Sequence, residues 1–223
     1  MAIGLAYYDG LAARKPALLA TTVSGSFDGM ASHAPQRMTL AEFLEWDDGT
    51  DRRYQLFDGV PMMMAPAVEA HGELVLSLGA EIRSRLKRPC RVISEAGITV
   101  EGRSDTYYVA DLAVTCVPRE PGRRIVAEPV LIVEVLSPST EHIDRLRKLA
   151  DYRTLPSARE ILIVFPDERR VEVLRRTADG WRVEDLIGQA SITLGVCDGP
   201  IPLEALYRDL LPGPAEPDAP SGA

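Results

Sequence analysis

The stretch that decides the fold is Pro129-Val130-Leu131-Ile132-Val133-Glu134-Val135-Leu136-Ser137-Pro138-Ser139-Thr140. Its apolar run is nearly continuous, which predicts a strand buried on both faces. Ser137-Pro138 stops the strand, and Ser139-Thr140 opens a helix carrying Asp144, Lys148 and Tyr152. Glu134 interrupts the apolar run. A carboxylate there is costly unless it is paired, hydrogen-bonded, protonated or bound to a metal. Taken alone, it reads first as a buried ion pair with Lys148 or an arginine. Upstream, Tyr108-Val109-Ala110-Asp111-Leu112-Ala113-Val114 alternates as a strand and contributes a second carboxylate. Asp111, Glu134 and Lys148 converging at a sheet edge would suit metal-assisted hydrolysis. The carboxylates would hold a hard cation, and the lysine would position or polarise a water.

With Asp111 before it and Asp144, Lys148 and Tyr152 after it, this block resembles the Uma2 (DUF820) family of the PD-(D/E)XK restriction-endonuclease-like superfamily. Tyr54-Gln55-Leu56-Phe57-Asp58-Gly59 is similar to the family's opening strand. His71 falls where its first core helix usually carries a histidine. The resemblance spans roughly residues 38–211. It implies an α/β fold: a restriction-endonuclease-like core with a mixed central β-sheet flanked by helices, plus a C-terminal antiparallel meander.

The resemblance also implies an endonuclease that uses Mg2+ (or Mn2+) to hydrolyse phosphodiester bonds in DNA. Asp111, Glu134 and the backbone carbonyl near Val135 would hold the ion. Lys148 would be the catalytic lysine, because Leu136 occupies the superfamily's usual lysine position. Gln55, Asp58, His71, Asp144 and Tyr152 would be supporting residues. Four of these also have a plainer role: a turn for Asp58, a satisfied core histidine for His71, a surface ion pair for Asp144 and packing for Tyr152. Ala110 replaces the family's proline, which shapes the strand rather than binding metal. Gln55 replaces a carboxylate and removes a charge. That departure, with the acidic net charge, keeps open a weak or inactive binding or assembly module on the same fold. A hydrolase of a small phosphorylated ligand is a further alternative, which fits the low basicity better than DNA does.

The chain has 223 residues, of which 46% are hydrophobic, enough for one domain with a full core. No apolar stretch is long enough to span a membrane, and no membrane contact is expected. The net charge of -8 argues against strong non-specific nucleic-acid binding. It leaves room for a local basic groove. Cys90, Cys116 and Cys197 are far apart and odd in number. That pattern predicts reduced thiols in a cytoplasmic protein, with no disulfide framework and no zinc site. A homodimer is compatible with the sequence, which is silent on oligomeric state.

Residues 1–37 lack periodicity and read as a disordered extension, with a translation start at Met30 or Met38 as the alternative. Arg14-Lys15 before Pro16-Ala17-Leu18-Leu19-Ala20 faintly resembles a signal peptide. Its apolar part is too short, so export is not expected. Residues 38–211 form the expected domain. Thr39-Leu40-Ala41-Glu42 has capping-box spacing, and Asp58-Gly59 marks a hairpin turn. Leu74, Val75, Leu78, Ile82 and Leu86 predict a helix over residues 68–86. Arg83, Arg85, Lys87, Arg88 and Arg91 make the densest basic cluster, read as a solvated helix end in preference to a phosphate-contact patch. Residues 91–94, 98–100, 160–165 and 171–174 predict further strands. A meander through Trp181 to Ile187 and a short helix over residues 202–210 follow. Residues 212–223 read as a disordered tail.

Overall fold

The computed structural model describes residues 37–137 and 144–211. The expected N-terminal extension, the helix start at Pro138 to Thr140 and the C-terminal tail lie outside the described residues. Helix α1 (Leu40–Glu45) starts with the reciprocal box its sequence spells: the Glu42 N–H donates to the Thr39 hydroxyl, and the Thr39 N–H donates to the Glu42 carboxylate. Strands β1 (Tyr54–Phe57) and β2 (Val60–Met63) form a hairpin. Its turn residues Asp58 and Gly59 both take positive φ, as a type I′ hairpin turn requires. Helix α2 (Glu69–Arg85) buries Leu74, Leu78 and Ile82, one stripe at i, i+4 and i+8.

Six strands then make a single mixed sheet in chain order. They are β3 (Arg91–Ile98), β4 (Tyr108–Thr115), β5 (Pro129–Val135), β6 (Glu160–Phe165), β7 (Arg170–Thr177) and β8 (Gly180–Ile187). β5 and β6 run parallel, and the other neighbours run antiparallel. A parallel pair needs a crossover. Its described part is a π-type turn (Asp144–Lys148) leading into α3 (Leu149–Thr154). β6 to β8 form the antiparallel meander. A short pair, β9 (Ser191–Ile192) and β10 (Ile201–Pro202), precedes α4 (Leu203–Tyr207).

The pleat of β5 sorts its residues into two layers. Leu131, Val133 and Val135 pack with α2 and α4, whereas Ile132 packs in the layer of Tyr152 from α3. Glu134 has the parity of Ile132 and therefore faces α3. β4 alternates in the same way through Leu112, Ala113 and Val114, but Ala110 and Tyr108 join the layer of Ala113. The alternation inverts at Asp111. It inverts in β3 at the matching level, where Val92 lies in one layer and Ala96 and Ile98 lie in the other. The residue at that level is Glu95, whose φ is +49°. The strand predicted at residues 91–94 and the start of the one predicted at 98–100 are thus one strand, which ends at Ile98 and is kinked at a residue that the hydrophobic pattern skipped.

The cysteine expectation is corrected. Cys90 and Cys116 form a disulfide, and Cys197 is free and buried. The reason is register: Arg91 pairs with Thr115, so one step further out the two cysteines face each other. A separation of 26 residues hides that adjacency. The premise of reduced thiols therefore holds for Cys197 alone. Among the described residues no helix is long and apolar enough to cross a membrane.

Close packing beside the kink gives a test. A Cβ at Gly97 would run into the Arg124 carbonyl oxygen and the Tyr107 hydroxyl. Gly97→Ala should cost about 1–3 kcal/mol through overpacking, measured by urea unfolding. Gly79→Ala in α2 meets only the Leu112 side chain, at 3.5 Å. It should be neutral or stabilising by up to ~1 kcal/mol, since Ala outranks Gly in a helix.

Candidate active site

The ladder between β4 and β5 last pairs Leu112 with Val133. One step on, register places Asp111 opposite Glu134. There the strands splay, and a side chain substitutes for the ladder: the Val135 N–H donates to Asp111 Oδ2 at 2.7 Å. His71 of α2 brings its Nε2 to 3.2 Å from Asp111 Oδ1. Glu134 is 2% exposed and Lys148 is 3% exposed. Lys148 Nζ lies 3.3 Å from Glu134 Oε1 and 3.3 Å from the Val109 carbonyl oxygen. The Tyr152 hydroxyl donates to Glu134 Oε1 at 2.6 Å. The buried carboxylate thus has a countercharge and a hydroxyl donor, as its desolvation demands.

Asp111, Glu134, Val135, Lys148, His71 and Gln55 line one cavity of about 450 Å3, within the usual range for ligand pockets. Gln55 sits in its wall with a structural task, because the Val109 N–H donates to its Oε1 at 2.9 Å. Asp58 lies outside the lining. It pairs with Arg103 and, at 3.1 Å, with Arg147. The Arg103 hydrogen bond holds its carboxyl below the usual carboxylate range. Arg103 also reaches Asp151 at 3.3 Å, and the Tyr108 hydroxyl donates to Asp151 at 2.5 Å. This network ties the β1–β2 turn to the segment carrying Lys148 and Tyr152. Burial, followed by that hydrogen bond, pushes the Tyr108 hydroxyl well above its ordinary pKa. The Asp144 side chain lies outside the described parts of the structure.

Sequence reading missed two residues at the cavity mouth, Arg53 and Glu95. They form an ion pair there, with side chains 58% and 61% exposed. The positive φ of Glu95, opposite Asp111, is uncommon for a non-glycine residue. Its only trace in the sequence was the gap between two predicted strands. Met62, Met63, Pro66 and Val68 add apolar side chains to the lining.

A mixed sheet whose ladder ends at Asp111 and Glu134, packed on a crossover helix, is a restriction-endonuclease-like fold. A crystal structure from Anabaena variabilis, described as a putative nuclease belonging to DUF820, shares this fold with a TM-score of 0.61. The likeness covers 78% of this chain and 99% of that one, at 20% sequence identity. Two uncharacterized proteins of Synechocystis sp. are similar in sequence. One is 24% identical over 188 residues, covering 81% of this chain and 99% of its own length. The other is 26% identical over 160 residues, covering 68% of this chain and 89% of its own length. The chain belongs to the Uma2 family, described as "Putative restriction endonuclease", whose profile matches residues 40–195.

The Tyr152 hydroxyl can be tested apart from any activity. Tyr152→Phe keeps the ring in the core and removes one donor to a buried carboxylate. A stability loss of about 1.5–3 kcal/mol is expected, the range for hydrogen bonds to charged groups, measured by chemical denaturation.

Proposed function

We propose that the protein is a nuclease dependent on Mg2+ or Mn2+ that hydrolyses phosphodiester bonds in DNA, with residues 38–211 as its folded domain. The observation that carries this reading is the gathering of Asp111, Glu134 and Lys148 at one open cavity. The donor set suits a hard cation. Among the described residues no three His, Cys, Asp or Glu side chains gather as a metal cluster. The protein's share of the shell would then be Asp111, Glu134 and the Val135 carbonyl. Mg2+ is ordinarily held by such a small share, one or two carboxylates with water completing the shell. When bound, the ion supplies Lewis-acid stabilisation of phosphate charge and activation of water.

The chain's own residues do the rest. The Val135 N–H and His71 fix the Asp111 carboxylate. Tyr152 and Lys148 fix Glu134. The Lys148 ammonium orients the attacking water or offsets charge growing on the phosphate. Arg53 at the mouth offers a cation to the substrate.

A binding or assembly module on the same fold is the second reading. It is favoured by Lys148 already lying against Glu134 and by Gln55 bringing no charge. Thermal unfolding with and without metal separates the two. Mg2+ or Mn2+ at a hundredfold over its dissociation constant should add about 2.7 kcal/mol. Asp111→Asn should abolish that gain while keeping the fold, because the amide oxygen still accepts the Val135 N–H. A melting curve indifferent to metal in both proteins sinks the nuclease reading.

Lys148 has its own test. Lys148→Met should lose plasmid nicking and keep the metal-dependent shift. It should also lower baseline stability by about 3–5 kcal/mol, the cost of leaving a buried charge without its partner. Nicking that survives in this variant rules out a catalytic lysine.

A further inference from the structure

The site described above explains neither of two basic depressions along the edge strand β3. One is lined by Arg91, Arg119, Arg123 and Arg124, the other by Arg83, Arg88 and Arg91. They share Arg91, and the first shares Glu95 with the candidate active-site cavity. Each depression thus shares one β3 residue with the next along the strand. From Glu95 to Arg91 the strand advances ~13 Å at its usual rise, a span that a few nucleotides of backbone cover. Six arginines line the two basic depressions against two glutamates, Glu95 and Glu120. The whole chain has 25 lysines and arginines against 33 acidic residues. The local balance is the reverse of the global one.

The arginines keep donors to spare. Arg91 uses Nε on the Val117 carbonyl, which leaves its terminal nitrogens for a ligand. Arg123 pairs with Glu120 on the exposed surface, a contact worth little that a phosphate can replace. Arg85 and Lys87, from the same basic cluster in sequence, differ: they pair with Glu81 and Asp198 and line neither depression. The Cys90–Cys116 disulfide joins the residue before Arg91 to the start of the Arg119–Arg124 loop. It fixes the two arginine-bearing segments side by side.

We propose that this arginine-lined edge of β3 is the track that holds the DNA backbone phosphates flanking the bond presented to Asp111 and Glu134. The proposal rests on the nuclease reading for its register, and its test does not depend on hydrolysis. Binding of a short fluorescein-labelled DNA duplex is followed by anisotropy in EDTA, across salt from about 50 to 200 mM. Arg83→Ala/Arg119→Ala/Arg123→Ala should make the slope of log K against log salt shallower by about 2.7, three contacts at ~0.9 each. Arg83→Lys/Arg119→Lys/Arg123→Lys keeps the charges and should retain the slope. Arg159→Ala/Arg182→Ala/Arg208→Ala, an equal charge change away from the track, should also retain it. A wild type that does not bind, or an off-track variant that loses as much slope as the track variant, overturns the proposal. Plasmid nicking by the wild type with Mn2+ is scored separately. Its absence counts against the nuclease reading, while the salt slopes still decide the track.

Discussion

A carboxylate that is 2% exposed in the middle of a sheet is the constraint on which the rest of the structure depends. Taking one such ion out of water costs several kcal/mol even after relaxation. Glu134 remains in place because Lys148 and Tyr152 meet it from the crossover. The crossover must therefore arrive at one height and one rotation. The π-type turn Asp144–Lys148 sets Lys148 inward and Arg147 outward, where Arg147 pairs with Asp58. Arg103 and Asp151 brace the same segment from the β1–β2 hairpin. Elements far apart in sequence are thus held in register by the need to neutralise one charge.

The second organising feature is the kink shared by β3 and β4. A regular pleat would keep alternate residues of β4 on one face for its whole length. The inversion at Asp111 and Glu95 breaks that rule and turns the strand ends away from β5. Asp111 then satisfies the Val135 N–H that the missing ladder bond leaves behind. The opening is therefore made without abandoning a buried backbone donor, which would carry its own penalty. Chemistry-bearing side chains reach a cavity at this level because the sheet is interrupted there.

Charge is distributed unevenly around that opening. The chain is acidic overall, yet arginines line the β3 edge and lie beside the cavity. Net charge alone is a weak guide to what such a protein meets, because surface charges more than a Debye length apart are largely screened from one another.

Much of this was legible in the sequence, for local reasons. The buried strand around Glu134, the capping box of α1, the hairpin turn at Asp58-Gly59 and the stripe of α2 each follow from side-chain periodicity or turn chemistry within a few residues. The approach of Lys148 to Glu134 was also readable, because a buried carboxylate requires a countercharge and the following helix supplied one. Tertiary structure decided what depends on register between distant segments. It paired Cys90 with Cys116 across β3 and β4, turned Asp58 from the cavity to Arg103 and Arg147, and gave Gln55 to the Val109 N–H. It also brought Arg53 and Glu95 together at the mouth. No periodicity marks these positions, because each partner is fixed by strand pairing and layer packing rather than by its own neighbours in the chain.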